Sequence, residues 1–154
     1  LMDGQLDAAR AARQHVDDGQ PIESPRISLH MSLVDAALAQ AAGDAAGALA
    51  RLPADDAPGL NDELRWRALA VRLRAEAASG GCSATTLAAA DAALARQGVH
   101  ALAGLLLHRA LLQVAGTAER RHAWQQRVET LSGSLQELPD LRARFEQRWF
   151  EAAG

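Results

Sequence analysis

An all-α fold follows from three observations on this sequence. Alanine, the strongest helix former, fills 36 of the 154 positions. Aromatic residues are sparse, with 3 Trp, 2 Phe and no Tyr, and β-branched residues are few. Apolar residues recur at three- and four-residue spacing over much of the chain, which is helix periodicity rather than strand alternation. With 49% hydrophobic residues the chain can bury the core of one domain of ordinary size.

The elements follow in order. Residues 3–18 read as a first helix, with Leu6, Ala9, Arg13 and Val16 on one stripe and Asp17, Asp18, Gly19 and Pro21 as its stop. After a loop holding Pro21 and Pro25, residues 27–42 form a second helix. Its stripe is Ile27, Met31, Val34, Leu38 and Ala41. Gly43-Asp44 turns the chain into a short helix, 45–52, stopped by Pro53. A helix that short is marginal alone and must pack back on its partner. Residues 54–59 form a Pro/Asp/Gly loop. Asn61 caps a fourth helix reaching residue 78, and Ser83 caps a fifth ending near Gly98. Across the intervening loop, Trp66, Leu69, Ala70 and Leu73 are expected to face the small residues Ala88, Ala92 and Ala95. Residues 99–115 are apolar almost all round, the mark of a helix buried between layers. Gly116 ends that helix and Thr117 caps a seventh, reaching about Leu138. Pro139 breaks the chain. Asp140 opens a last amphipathic helix with Leu141, Phe145 and Phe150. Short linkers make neighbouring helices antiparallel. The expected hairpins are 27–53, 61–97 and 99–138, in a single domain, with 139–152 as a C-terminal capping helix.

Composition excludes several classes. The 16 basic residues are all Arg, which reads as a GC-rich bacterial coding bias. A net charge of −3 does not advertise nucleic-acid binding. One Cys rules out an internal disulfide framework, and a reducing, cytoplasmic setting fits it. No signal peptide is visible. The longest apolar run, 99–107 broken by His100, falls far short of the ~20 residues of a membrane span. The opening Leu-Met-Asp-Gly reads as a point inside a longer polypeptide.

Turn glycines at Gly43, Gly80 and Gly116 lie about 36 residues apart, close to the ~34-residue tetratricopeptide period. Trp66-x2-Leu69-Ala70-x2-Leu73 resembles the signature of that repeat's first helix. Ala88-x3-Ala92-x2-Ala95 resembles the small-residue ladder of its second. Gly43-Asp44 followed by Ala48 and Leu52 looks like the turn and second helix of another copy. The loop at 78–83 is longer than the family's turn, Pro53 truncates the earlier copy, and the 99–138 pair lacks a clean signature. The chain is thus similar to a degenerate tetratricopeptide array. The stretch 63–70 followed by Leu138-Pro139-Asp140-Leu141-Arg142-Ala143-Arg144-Phe145 is similar to the C-terminal repeat region of large bacterial signalling ATPases and transcriptional regulators. The resemblance implies about seven or eight antiparallel helices with right-handed solenoid curvature. It also places Arg67, Val71 and Arg74 along a concave groove.

No residue set in the sequence amounts to an active site, and no cofactor is implied. His15, His30, His100 and His122 form no zinc pattern. Cys82 has no base or orienting group beside it in sequence and reads as an incidental loop thiol. His108 reads as a structural histidine; the alternative is a phosphorylatable histidine of a phosphotransfer bundle. Arg65 and Arg72 share one helical face, and Arg67 and Arg74 another. These are either solvated faces whose stems cover Ala-rich surface or a groove for an acidic peptide or carboxylate. Trp66 and Trp124 read as packing residues. Trp149 and Phe150 read as a cap sealing the array, with a docking patch as the alternative.

The function expected is a non-catalytic protein–protein interaction or regulatory scaffold, not an enzyme, forming the C-terminal part of a larger bacterial regulator or signalling ATPase. Its partner is a protein or peptide, or another domain of the same longer chain. Candidate partner-binding residues are Arg67, Val71, Arg74, Trp149 and Phe150. Two other classes remain: a small-molecule sensor and the His108 phosphotransfer bundle.

Overall fold

The computed structural model describes residues 6–17, 24–96 and 101–150. Within them the chain forms eight helices and no strand. They are α1 (Leu6–Asp17), α2 (Pro25–Ala41), α3 (Ala45–Arg51), α4 (Asp62–Ala78), α5 (Ala84–Ala95), α6 (Ala101–Ala115), α7 (Ala118–Gly133) and α8 (Pro139–Phe150).

The starts of α4, α5 and α7 are set by the expected side chains, and that of α3 by Asp44. Asn61 accepts a hydrogen bond from the Leu64 amide at 2.9 Å. Ser83 accepts one from Thr86 at 3.1 Å, and Thr117 one from Arg120 at 3.2 Å. Asp44 accepts one from the Gly47 amide at 2.8 Å. Each satisfies an amide that the helix itself cannot. Pro25 occupies the first turn of α2, where its missing N–H costs nothing.

Two helix ends share one device. Gly43 and Gly80 have φ of 82° and 118°, a region glycine enters without a Cβ penalty. After α2 the Gly43 amide donates to Gln40 and the Asp44 amide to Ala39; after α4 the Gly80 amide donates to Ala77 and the Gly81 amide to Glu76. Both ends are therefore Schellman turns. Gly116 ends α6 without a positive φ, so the third of the evenly spaced glycines is a different turn.

α4 sits at the centre. One side packs Leu64 and Ala68 on Leu29 and Leu33 of α2. Val71 and Ala75 pack on Ala36 of α2 and Ala48 of α3. The opposite side packs Trp66, Leu69, Ala70 and Leu73 on Ala90 and Ala93 of α5 and on Ala103, Leu107, Ala110 and Leu111 of α6. Trp66 thus meets small residues, as a closely packed helical pair requires. A separate cluster joins Leu105 of α6, Trp124 and Val128 of α7 and Trp149 of α8.

Several faces differ from the sequence reading. On α5 the buried residues are Thr86, Ala90 and Ala93, whereas Ala88, Ala92 and Ala95 are exposed. On α2 the buried set is Leu29, Leu33, Ala36 and Leu38, while Ile27 and Val34 are 51% and 40% exposed. The leucine face is the one that meets Leu64 and Ala68 of α4. The most enclosed helix is α4 rather than α6, which leaves Leu102 48% exposed. α7 stops at Gly133, turns fill 134–137, and α8 begins at Pro139. On α1, Arg13 pairs with Asp35 of α2 at 2.8 Å; the other members of its expected stripe lie outside the described side chains.

Candidate functional site

The arginines fall into two groups. Most meet an acid. Arg65 reaches Asp62 at 3.3 Å and the Asp55 carbonyl at 3.4 Å, and Arg72 reaches the Asp55 carboxylate at 3.4 Å. That face of α4 ties down the loop after Pro53. Arg120 reaches Asp91 at 2.6 Å and Arg142 reaches Glu146 at 2.8 Å.

Arg74 and Arg109 are different. Both are half-buried, and among the described residues neither has a carboxylate within ion-pair distance; Arg127 of α7 shares this state, with its side chain against Gly104 of α6. The Arg74 Nε donates to Gln113 Oε1 at 3.1 Å, across the seam between α4 and α6. Arg109 lies one turn before Gln113 on α6. Its Nε is sealed from water with no hydrogen-bond partner, and its guanidinium carbon sits 6.0 Å from the Trp149 ring centroid. That is the outer reach of a cation–π contact. Burial and the nearby charge of Arg109 both push the Arg74 guanidinium below its usual pKa.

The other candidates are placed as follows. Arg67 shares the Arg74 face of α4 but bonds Glu63 at 2.6 Å, so its charge is answered within the helix. Val71 is buried, with 9% exposure, against Ala36 and Ala48. It supplies packing, not groove surface, because α2 and α3 cover that side of α4. Trp149 is 2% exposed. Its ring lies 5.7 Å from Trp124 and 6.3 Å from Phe145, tilted in both cases. A tryptophan so placed fastens α8 to α7 and offers no docking patch. The Phe150 side chain lies outside those described.

His108 is half-buried and its pKa is pushed down to about 4, first by burial and then by the charge of Arg127; Asp91 opposes this. It is neutral at pH 7. Arg127 Nη2 lies 2.7 Å from where a Cβ on Gly104 would stand, so glycine there lets the side chain cross α6 closely. The Cys82 thiol donates to the Leu73 carbonyl at 3.0 Å. Burial, then the charge of Glu76, raise its pKa, with a backbone hydrogen bond opposing. It stays a thiol, the unreactive form.

Glu76 was not singled out by sequence. Its carboxylate accepts from the Ser83 amide at 2.8 Å and from the Thr86 hydroxyl at 2.8 Å. It therefore binds the end of α4 to the first turn of α5 and fixes the long glycine loop between them.

His30 meets the Arg26 carbonyl and His122 meets Gln126. Among the described residues, no three metal-ligating side chains come together and no helix is long and apolar enough to cross a membrane. An open depression of about 260 Å³ lies beside α2 and α3, lined by Arg10, Asp35, Leu38, Ala39 and Arg51.

Arg109 and Gln113 were missed in the sequence reading, although the signal was present. With His108 they are the polar side chains of an otherwise apolar helix, and they lie one turn apart. What the sequence does not carry is the distant partner: Gln113 meets Arg74 across 39 residues. No family model, curated protein or solved structure matches the chain.

Proposed function

We propose that this chain is a non-catalytic protein-interaction module: a tetratricopeptide-like array of helical hairpins that forms the C-terminal part of a larger bacterial regulator or signalling ATPase. The partner lies along α4 and α6, the first helices of successive hairpins, where a repeat array presents its concave face. The observation that carries this reading is the seam between α4 and α6. It holds two half-buried arginines, Arg74 and Arg109, that no acid among the described residues answers. Leaving such charges uncompensated costs stability, and a partner that supplies the counter-charge recovers it.

The test is a pull-down with the full chain from an extract of its own organism. An Arg67→Ala, Arg74→Ala double variant keeps its helical circular-dichroism spectrum and loses the partner. An Arg121→Ala control, changed at an exposed site on α7, retains it. Unchanged recovery by the double variant counts against the α4 face.

A further inference from the structure

The protein-binding reading leaves open what the partner presents to α4 and α6, and the two unanswered arginines address that question. Exposed arginines need no partner because water solvates them, as at Arg26, Arg121 and Arg144. Arg74 and Arg109 are half withdrawn from water, as is Arg127, which packs against Gly104 of α6 from α7. Each is also held in place by its neighbours. The Gln113 amide oxygen fixes Arg74 through Nε, which leaves both terminal nitrogens of that guanidinium for another acceptor. Trp149 stands beside Arg109 at 6.0 Å from ring centroid to guanidinium carbon. Gln113 stands one turn from Arg109 on α6, so its bond to Arg74 brings the two like charges to one stretch of the seam, in a setting that weakens their hydration. Such a pair attracts an anion more strongly than either charge alone.

We propose that Arg74 and Arg109 form an anion site that receives the carboxylates of an acidic peptide segment, with Gln113 holding the Arg74 fork toward it. This rests on the protein-binding reading and states the chemistry of the partner. A planar guanidinium fork matches a carboxylate with two parallel hydrogen bonds. A nucleic-acid strand fits less well. Strand binding needs a stripe of cations that tracks successive phosphates. Here the same face of α4 carries Glu63 about three turns earlier, already bonded to Arg67, and the chain as a whole carries a net charge of −3.

The experiment is calorimetric titration of the full chain at low salt with an oligoglutamate peptide. Oligoglutamine, inorganic phosphate and a short oligothymidylate serve as comparison probes. Oligoglutamate binds, and Arg74→Gln and Arg109→Gln each weaken it by about tenfold or more. Arg121→Gln leaves it unchanged. If a glutamine variant loses helicity, Arg74→Lys and Arg109→Lys take over the test. Lysine keeps the charge and the stem but lacks the fork, so weaker binding is again expected. Binding that survives in the variants overturns the site. Oligoglutamine, phosphate or oligothymidylate binding as tightly as oligoglutamate overturns the carboxylate assignment. A partner recovered by pull-down with no oligoglutamate binding sinks the carboxylate assignment alone. Neither partner nor peptide sinks both readings.

Discussion

Replacing Glu76 with alanine tests how the central helical pair is held. The carboxylate takes two hydrogen bonds, from the Ser83 amide and the Thr86 hydroxyl, both at 2.8 Å. A hydrogen bond to a charged acceptor contributes about 1.5–3 kcal/mol when well enclosed. Ser83 is exposed, so water replaces that bond cheaply. Thr86 is buried at 5% exposure, but its proton can turn to the Ser83 hydroxyl, 2.9 Å away. The expected loss is therefore about 2 kcal/mol, including the favourable position of an acid at the start of α5. For a chain of this size that lowers Tm by roughly 4–8 °C. Thermal denaturation followed by circular dichroism reads it. A second readout separates charge from packing. Glu76 helps to hold the Cys82 thiol protonated, so both Glu76→Ala and Glu76→Gln speed the reaction of Cys82 with a disulfide reagent at fixed pH. Glu76→Gln keeps an acceptor and loses less stability. A Tm within about 1 °C of wild type for Glu76→Ala, with unchanged thiol reactivity, would refute the role assigned to this carboxylate.

Other outcomes follow from burial and charge. Leu73→Ala removes a side chain with no exposed surface at the α4–α5–α6 seam and costs about 2–5 kcal/mol in urea unfolding. Leu141→Ala, at a 51% exposed position, costs less than about 0.5 kcal/mol. Gly104→Ala places a Cβ against the tip of Arg127, a flexible side chain that can move aside. The gain in helix propensity then dominates and Tm rises by about 1–3 °C; a fall would show that Arg127 is locked in place. His108 has a folded pKa of about 4, below its ordinary value of 6.5. The unfolded chain therefore binds more protons between those values, and stability falls as pH drops from 6.5 toward 4. His108→Gln flattens that part of the pH–stability curve in denaturant titrations, and an unchanged slope would refute the assignment.

Local chemistry made much of the fold legible. Asn61, Ser83 and Thr117 cap the helices they were expected to cap, because a cap is made within three residues of itself. Gly43 and Gly80 end helices through a backbone conformation that only neighbouring residues set. The faces were less legible where alanine is abundant. On α5 alanine occupies every side, so periodicity cannot choose between Ala88, Ala92 and Ala95 and the observed Ala90 and Ala93. On α2 an isoleucine–valine stripe competes with a leucine one, and only the packing of Leu29 and Leu33 against Leu64 and Ala68 decides it.

The helical character of the chain, most helix starts and ends, and the shared face of Arg67 and Arg74 were readable along the chain. All of these depend on residues within two turns of one another. Tertiary structure decided which of those arginines has its charge answered. Arg67 finds Glu63 four residues away. Arg74 meets Gln113 on another helix and lies close enough to Arg109 to feel its charge. Ion pairing depends on distance in space, and the docking of α6 on α4 sets the two cations along one seam, where no described acid pairs with either.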